Sequence, residues 1–309
     1  MAEYYRQMNM LRNSKLLFFT ALLSPVIITS CGGSSSEGNE DLVNVEDTYI
    51  DPNQNIGIEL DGQMFSIPSP IQTAMLIQKV GANYNPKMLN GNDKLANYST
   101  IYQKALNLGL YGADLGYVTI YNKDDESINY LKTIRTLTDQ LGITGAFDEE
   151  IVNRFTNNRG NQDSLLVIVS DAYKSADTYL KNNDKNDVVA LILAGGWIES
   201  MYFAVTVAEE TKNQEMITRV ADQKNILGNL IELISYHRTT EEYEKLIFEL
   251  EDLYAYFENI KYTYEFIAPV TNEEKRTTEI MSKTNIEISD EDLQGITNKV
   301  KSIRNEITR

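Results

Sequence analysis

Three side chains in this sequence invite a chemical role, and each is solitary. His237 is the single histidine. In Tyr236-His237-Arg238-Thr239-Thr240-Glu241 its imidazole and the Glu241 carboxylate would share one face of a continuous helix, the minimum for two metal ligands. The Arg-Thr-Thr run reads instead as a junction between helices, with a threonine capping the second. The Glu-x-x-His pair of carboxylate-bridged metal bundles is absent. Cys31 is the single cysteine, so its thiol has no disulfide partner in the chain and is free to act as a nucleophile. Glu199 is the lone formal charge in the apolar run Val188 to Ala208, VVALILAGGWIESMYFAVTVA, which is about the length that spans a bilayer.

Two acidic knots, Asp124-Asp125-Glu126 and Asn182 to Asp187, have the residue types that bind calcium. Neither has the loop spacing that wraps the ion, and both precede helical runs, where Asp and Asn serve as caps. No nucleophile elbow, phosphate-binding loop or dinucleotide fingerprint is present. The expectation is a protein with no metal, no cofactor and no catalytic residues, one that is not an enzyme.

Charge excludes a further class. The chain has 28 Lys plus Arg against 45 Asp plus Glu, a net charge of -17. Such a surface repels nucleic acid and anionic lipid headgroups, so no nucleic-acid partner is expected.

Cys31 finds its context at the N-terminus. Arg6, Arg12 and Lys15 precede the apolar run Leu16 to Ile28, the order of a secretory signal peptide. The residues Ile28-Thr29-Ser30-Cys31-Gly32 resemble the bacterial lipoprotein signal: an aliphatic residue, two small ones, then the cysteine. The resemblance implies that Cys31 becomes the lipidated first residue of the mature chain and the anchor to a membrane. Gly32 to Asp41 follows as a Gly/Ser stretch that turns acidic, a composition that stays solvated. Glu37, Glu40 and Asp41 resemble the surface-export signal of Bacteroidota lipoproteins, although an ordinary linker has the same composition. Three parts are therefore expected: a signal peptide over 1–30, a flexible tether over 31–56 and an all-helical domain over 57–309. The place is the cell envelope, at the outer membrane, with the leaflet open.

What must position any site in the body is a set of helices. Alternation around a central Asp-Gly in Gly57 to Pro68 predicts a short hairpin or extended lead-in. Beyond it the apolar period is helical almost everywhere. Ser69-Pro70 opens a first helix that ends at Gly81, and a long second helix is expected from about Asp93 to Tyr121. Its glycines, Gly109, Gly112 and Gly116, predict a face where another backbone comes close, since glycine costs up to about 1 kcal/mol in a helix interior. Further runs are Ile128 to Leu141, with Gly142 as the cap, Leu165 to Tyr179 and Ile217 to Ile234. A heptad seam holds Tyr243, Leu246, Leu250, Leu253, Phe257, Ile260 and Tyr264. The last helix carries Leu293, Ile296, Val300, Ile303 and Ile307 behind a Ser289 cap. The fold class is all-α, a multi-helix bundle of about eight to ten helices built from helical hairpins, with no 34-residue repeat.

This architecture decides how the apolar run around Glu199 is read. Gly195 and Gly196 weaken an isolated spanning helix, Glu199 would cost about 3 kcal/mol in hydrocarbon, and acidic flanks supply no orienting basic bias. The run is expected to be the most buried helix of the bundle. The glycine pair would admit a neighbour, the Gly109 to Gly116 face being the candidate. Glu199 needs a buried partner, and with Trp197 it is the candidate buried functional residue.

Ile67 to Met75, Lys104 to Gly116 and Leu193 to Glu199 resemble motifs of helical outer-membrane lipoproteins of Bacteroidota whose role is not established. The resemblance implies class and compartment and brings no catalytic residues. Asp163-Ser164-Leu165 resembles the O-glycosylation motif of envelope proteins of that phylum. The function expected is a lipid-anchored scaffold or adaptor for an envelope protein partner. The alternative, a surface nutrient- or glycan-binding lipoprotein, rests on the 19 tyrosines, which can stack on sugars or anchor a protein but also fall on helical core seams.

Overall fold

The computed structural model describes residues 56–60, 63–67, 70–143, 149–158, 161–182, 185–238, 240–272 and 277–309. The chain enters through an antiparallel hairpin, β1 (Ile56–Leu60) and β2 (Gln63–Ile67), in which Ile56 faces Ile67. Helices α1 (Pro70–Lys79), α2 (Ile101–Ile120), α3 (Asp124–Gln140), α4 (Glu149–Asn157) and α5 (Gln162–Asn182) follow. Next come α6 (Asn186–Thr211), α7 (Gln214–Ala221), α8 (Lys224–Ser235) and α9 (Glu241–Glu258). Between α9 and α10 (Asp290–Ile307) the chain makes an arm of short strands, β3 (Lys261–Glu265), β4 (Val270–Asn272), β5 (Thr277–Glu279) and β6 (Lys283–Glu287). Helices make up 74% of the described residues, so the class is all-α.

The centre is α6. From Val188 to Glu209 no residue of it is exposed. Its neighbours are α2 above all, then α10, α7, α1, α8 and α5. A helix apolar on all sides belongs where protein surrounds it. By length and composition α6 would also pass as a membrane span, but its surface is already occupied by the other helices. Closeness to α2 depends on glycine. A Cβ on Gly109 would sit 2.0 Å from the Ile192 carbonyl oxygen, and one on Gly195 would sit 1.9 Å from that of Leu106. The two backbones touch there with no room for a methyl group.

Four details depart from the sequence expectations. The second helix begins at Ile101 rather than near Asp93, because Thr100 and Gln103 form a reciprocal capping box there, while Asn92–Asn97 is a separate 3-10 turn. The Ile217 to Ile234 run is broken at Asp222-Gln223 into α7 and α8. The acidic knots are not side-chain caps: Lys123 and Lys185 hold the cap positions, and Asp124, Asp125, Glu126 and Asp187 lie in first turns, where the helix dipole favours acids. Lastly, the seam from Tyr243 ends with Ile260, which is buried just past α9, and Tyr264 stands exposed on β3. The heptad spacing of Tyr264 is a coincidence, since β-branched and aromatic residues after Asn259 favour strand over another helical turn.

Candidate functional site

Glu199 is fully buried, and its partner comes from the last helix. Arg304 Nε donates to Glu199 Oε2 at 3.0 Å and Nη2 donates to Oε1 at 2.8 Å, a two-point grip. Nη2 also reaches the Met88 carbonyl at 3.1 Å, and the guanidinium lies 4.5 Å from the centre of the Tyr202 ring. Helix α10 can present Arg304 inward because it lies one turn beyond Val300, which itself lies one turn beyond Ile296, on the stripe that packs into the core.

A second acid joins this pair. Asp114 of α2 is fully buried, and its Oδ2 accepts from the Asn90 backbone N–H at 3.3 Å. Oδ1 has no hydrogen-bond partner among the described residues. Burial, and after it the charge of Glu199, holds the Asp114 carboxyl well above its usual range. Burial also raises Glu199, against the opposing pull of Arg304. Burial alone would lower the Arg304 pKa, but Glu199 and then Asp114 raise it. One guanidinium cannot balance two buried carboxylates, so one proton stays in the cluster.

Polar groups extend the network. Asn90 Nδ2 donates to the Tyr98 hydroxyl at 3.1 Å and to Asn107 Oδ1 at 3.3 Å, while the Tyr130 hydroxyl donates to the Asn90 carbonyl at 3.0 Å. Asn107 Nδ2 closes onto the Ile307 carbonyl at 3.0 Å. Since Asn90, Asn107, Asp114 and Glu199 have no exposed surface, substrate has no approach to the acids in this conformation. The cluster is a tie that fixes α2, α6, α10 and the segment around Asn90 to one another.

Two surface features remain. Helices α2, α9 and α10 enclose a cleft of about 230 Å³ with Tyr102, Leu106, Leu246 and Ile303 among its walls and Glu242 and Glu306 at its rim. Burial, then Glu242, raises the Tyr102 hydroxyl. The other feature is the strand arm. Among the described residues, six of the ten exposed large apolar side chains lie on it: Tyr262, Tyr264, Phe266, Val270, Ile280 and Met281.

Of the residues singled out by sequence, Cys31, Ile28, Thr29, Ser30 and Gly32 lie outside the described residues. Gly109 of α2 lies against the Ile192 carbonyl and the Gly196 nitrogen of α6, and Gly195 of α6 lies against the Leu106 carbonyl of α2, while Gly116 faces Ile71 of α1 and Gly112 is buried in α2. Trp197 is buried and its Nε1 donates to Gln223 Oε1 at 3.1 Å. His237 sits after α8 and before α9, so it does not share a helix with Glu241. Ser164 is buried in the first turn of α5, where a hydroxyl presents poorly to a glycosylating enzyme. Tyrosine divides between the two readings: Tyr117 is buried beside Phe203, with the half-buried Tyr84 and Tyr121 packed on it, while Tyr264 is exposed and Tyr262, also exposed, turns its hydroxyl to donate to the Ala221 carbonyl at 2.8 Å. Sequence reasoning missed Asp114, Asn90 and Arg304. The available signals were a charge in the apolar Lys104 to Gly116 run and an arginine on the Ile296-Val300 stripe. Compared with family models, curated proteins and solved structures, the chain matches none.

Proposed function

We propose that this chain is a lipid-anchored, non-enzymatic adaptor of the cell envelope that grips a protein partner through the arm between α9 and α10. The carrying observation is the concentration of exposed Tyr, Phe, Ile and Met side chains on that arm. Exposed apolar patches rich in aromatic residues are what protein interfaces use. The buried acids are compatible with the reading, because the Asp114, Glu199 and Arg304 cluster is sealed among the described residues and ties helices together. Cys31, on the resemblance of its flanks to a lipoprotein signal, supplies the anchor at the outer membrane. Affinity capture from detergent-solubilised envelopes tests the adaptor. The wild-type chain should bring down another protein in stoichiometric yield, and a Tyr264→Ser, Phe266→Ser, Ile280→Ser variant should lose it. Recovery of the chain without any arm-dependent companion refutes the reading.

A second reading has one observation in its favour. The cleft at Tyr102 joins an aromatic side chain to carboxylates at its rim, a combination that suits a sugar ring. Under it, glycan-array binding is expected and should vanish in Tyr102→Ala; silence of the wild-type chain across the array removes it.

A further inference from the structure

The arm ends in an open strand edge. β3 pairs with β6, Lys261 against Glu287 and Thr263 against Asn285, and its other edge has no backbone partner among the described residues. All five of its residues are exposed. Two-stranded ribbons are marginal in water, and an open edge is a template for a further strand. No proline or glycine interrupts Lys261-Tyr262-Thr263-Tyr264-Glu265 to blunt it.

The sequence of that edge is its own antiparallel complement. Turned by a two-fold axis through Thr263, Lys261 of one copy falls opposite Glu265 of the other, and Tyr262 opposite Tyr264. The salt pair and the aromatic pair then each occur twice, as an isologous interface requires. The register puts opposite charges together at both ends, whereas a two-residue slip leaves charges unmatched. β6 has the same charged ends, Lys283 falling opposite Glu287 about an axis through Asn285, but its Ile286 packs against the core and would be set opposite Thr284 rather than an aromatic residue.

We infer that the first partner of the arm is a second copy of this chain, joined β3 to β3 in one four-stranded antiparallel sheet. This rests on the reading of the arm as the protein-docking element and names the occupant. Strand addition of this kind draws its affinity from main-chain hydrogen bonds and its specificity from the side chains across the seam.

The test uses the full chain, solubilised in detergent, as two differently tagged copies. Wild-type copies should co-purify. Glu265→Lys alone sets lysine against lysine at both ends, and Lys261→Glu alone sets glutamate against glutamate, so each should reduce co-purification at least tenfold. Each variant also keeps a like charge opposite β6 of its own arm, which mixing does not relieve; mixing the two restores opposite charges at both ends of the seam and should raise the yield at least tenfold over either variant alone, a rescue that a folding defect cannot give. Thr263→Cys, on the axis, should form a disulfide-linked dimer on mild oxidation, and Thr278→Cys on β5 should not. If the mixed variants pair no better than either alone, or if Thr263→Cys links no faster than Thr278→Cys, the inference is overturned. Should self-pairing fail while arm-dependent capture of another protein persists, the second copy is wrong and the adaptor stands; failure of both removes both.

Discussion

At the scale of single residues, the cluster of Asp114, Glu199 and Arg304 separates the roles of its two acids. Glu199→Gln leaves the guanidinium buried without its counter-charge, a defect that costs about 3 to 5 kcal/mol. Arg304→Met should cost a similar amount by stranding Glu199. Asp114→Asn, in contrast, replaces an acid that burial holds toward its neutral form by a neutral amide of the same shape, whose oxygen can still accept from the Asn90 N–H, and should cost less than about 1.5 kcal/mol. Urea unfolding of the three variants checks the order; equal losses for Asp114→Asn and Glu199→Gln would mean that Asp114 is ionised. A raised folded-state pKa at Asp114 also has a fixed sign in linkage. Between the ordinary carboxylate value of 3.8 and the raised one, the native state holds a proton that the unfolded chain has lost. The stabilisation is therefore complete below 3.8 and declines as pH rises, by about 1.4 kcal/mol per unit at most. The stability of wild type minus that of Asp114→Asn should fall from pH 5 to pH 8. These residues were legible only in part: Glu199 announced itself by standing alone in an apolar run, but its partner lies 105 positions away in sequence. No local pattern encodes such a distance.

At the scale of elements, α2 and α6 are paired through glycine. A methyl group on Gly109 or Gly195 would strike a backbone carbonyl, which cannot swing aside. Gly109→Ala and Gly195→Ala should each lose about 3 kcal/mol, the upper end of overpacking. Gly116→Ala meets the Ile71 side chain at 3.3 Å, which can yield, and should cost less than about 1 kcal/mol. Thermal melts of the three rank them. The clustering of glycines was visible as a pattern, because glycine inside a helix has a cost that only close approach offsets. Which glycines would meet which helix was not: Gly109 faces α6 whereas Gly116 faces α1. The strand arm was hidden for a different reason. Tyr264 continued the heptad spacing of α9 by chance, and short exposed strands lack the alternation that marks a half-buried sheet.

At the scale of the molecule, the proposed anchor and the body make separate predictions. Cys31→Ser removes the thiol that lipidation needs, and the protein should move from the membrane pellet to the soluble fraction. Protease treatment of intact membranes should leave no protected fragment around Val188 to Ala208, since α6 is enclosed by α2, α10, α7, α1, α8 and α5. By itself the sequence determined that the body is a helical bundle with a central apolar helix. Periodicity, caps and apolar content are local properties, and they are written within a few turns of chain. Only the tertiary structure decided what Glu199 is for, which glycines touch and where the exposed aromatic side chains collect. Those depend on contacts between residues far apart in the chain, which side-chain volume, burial and charge balance select together.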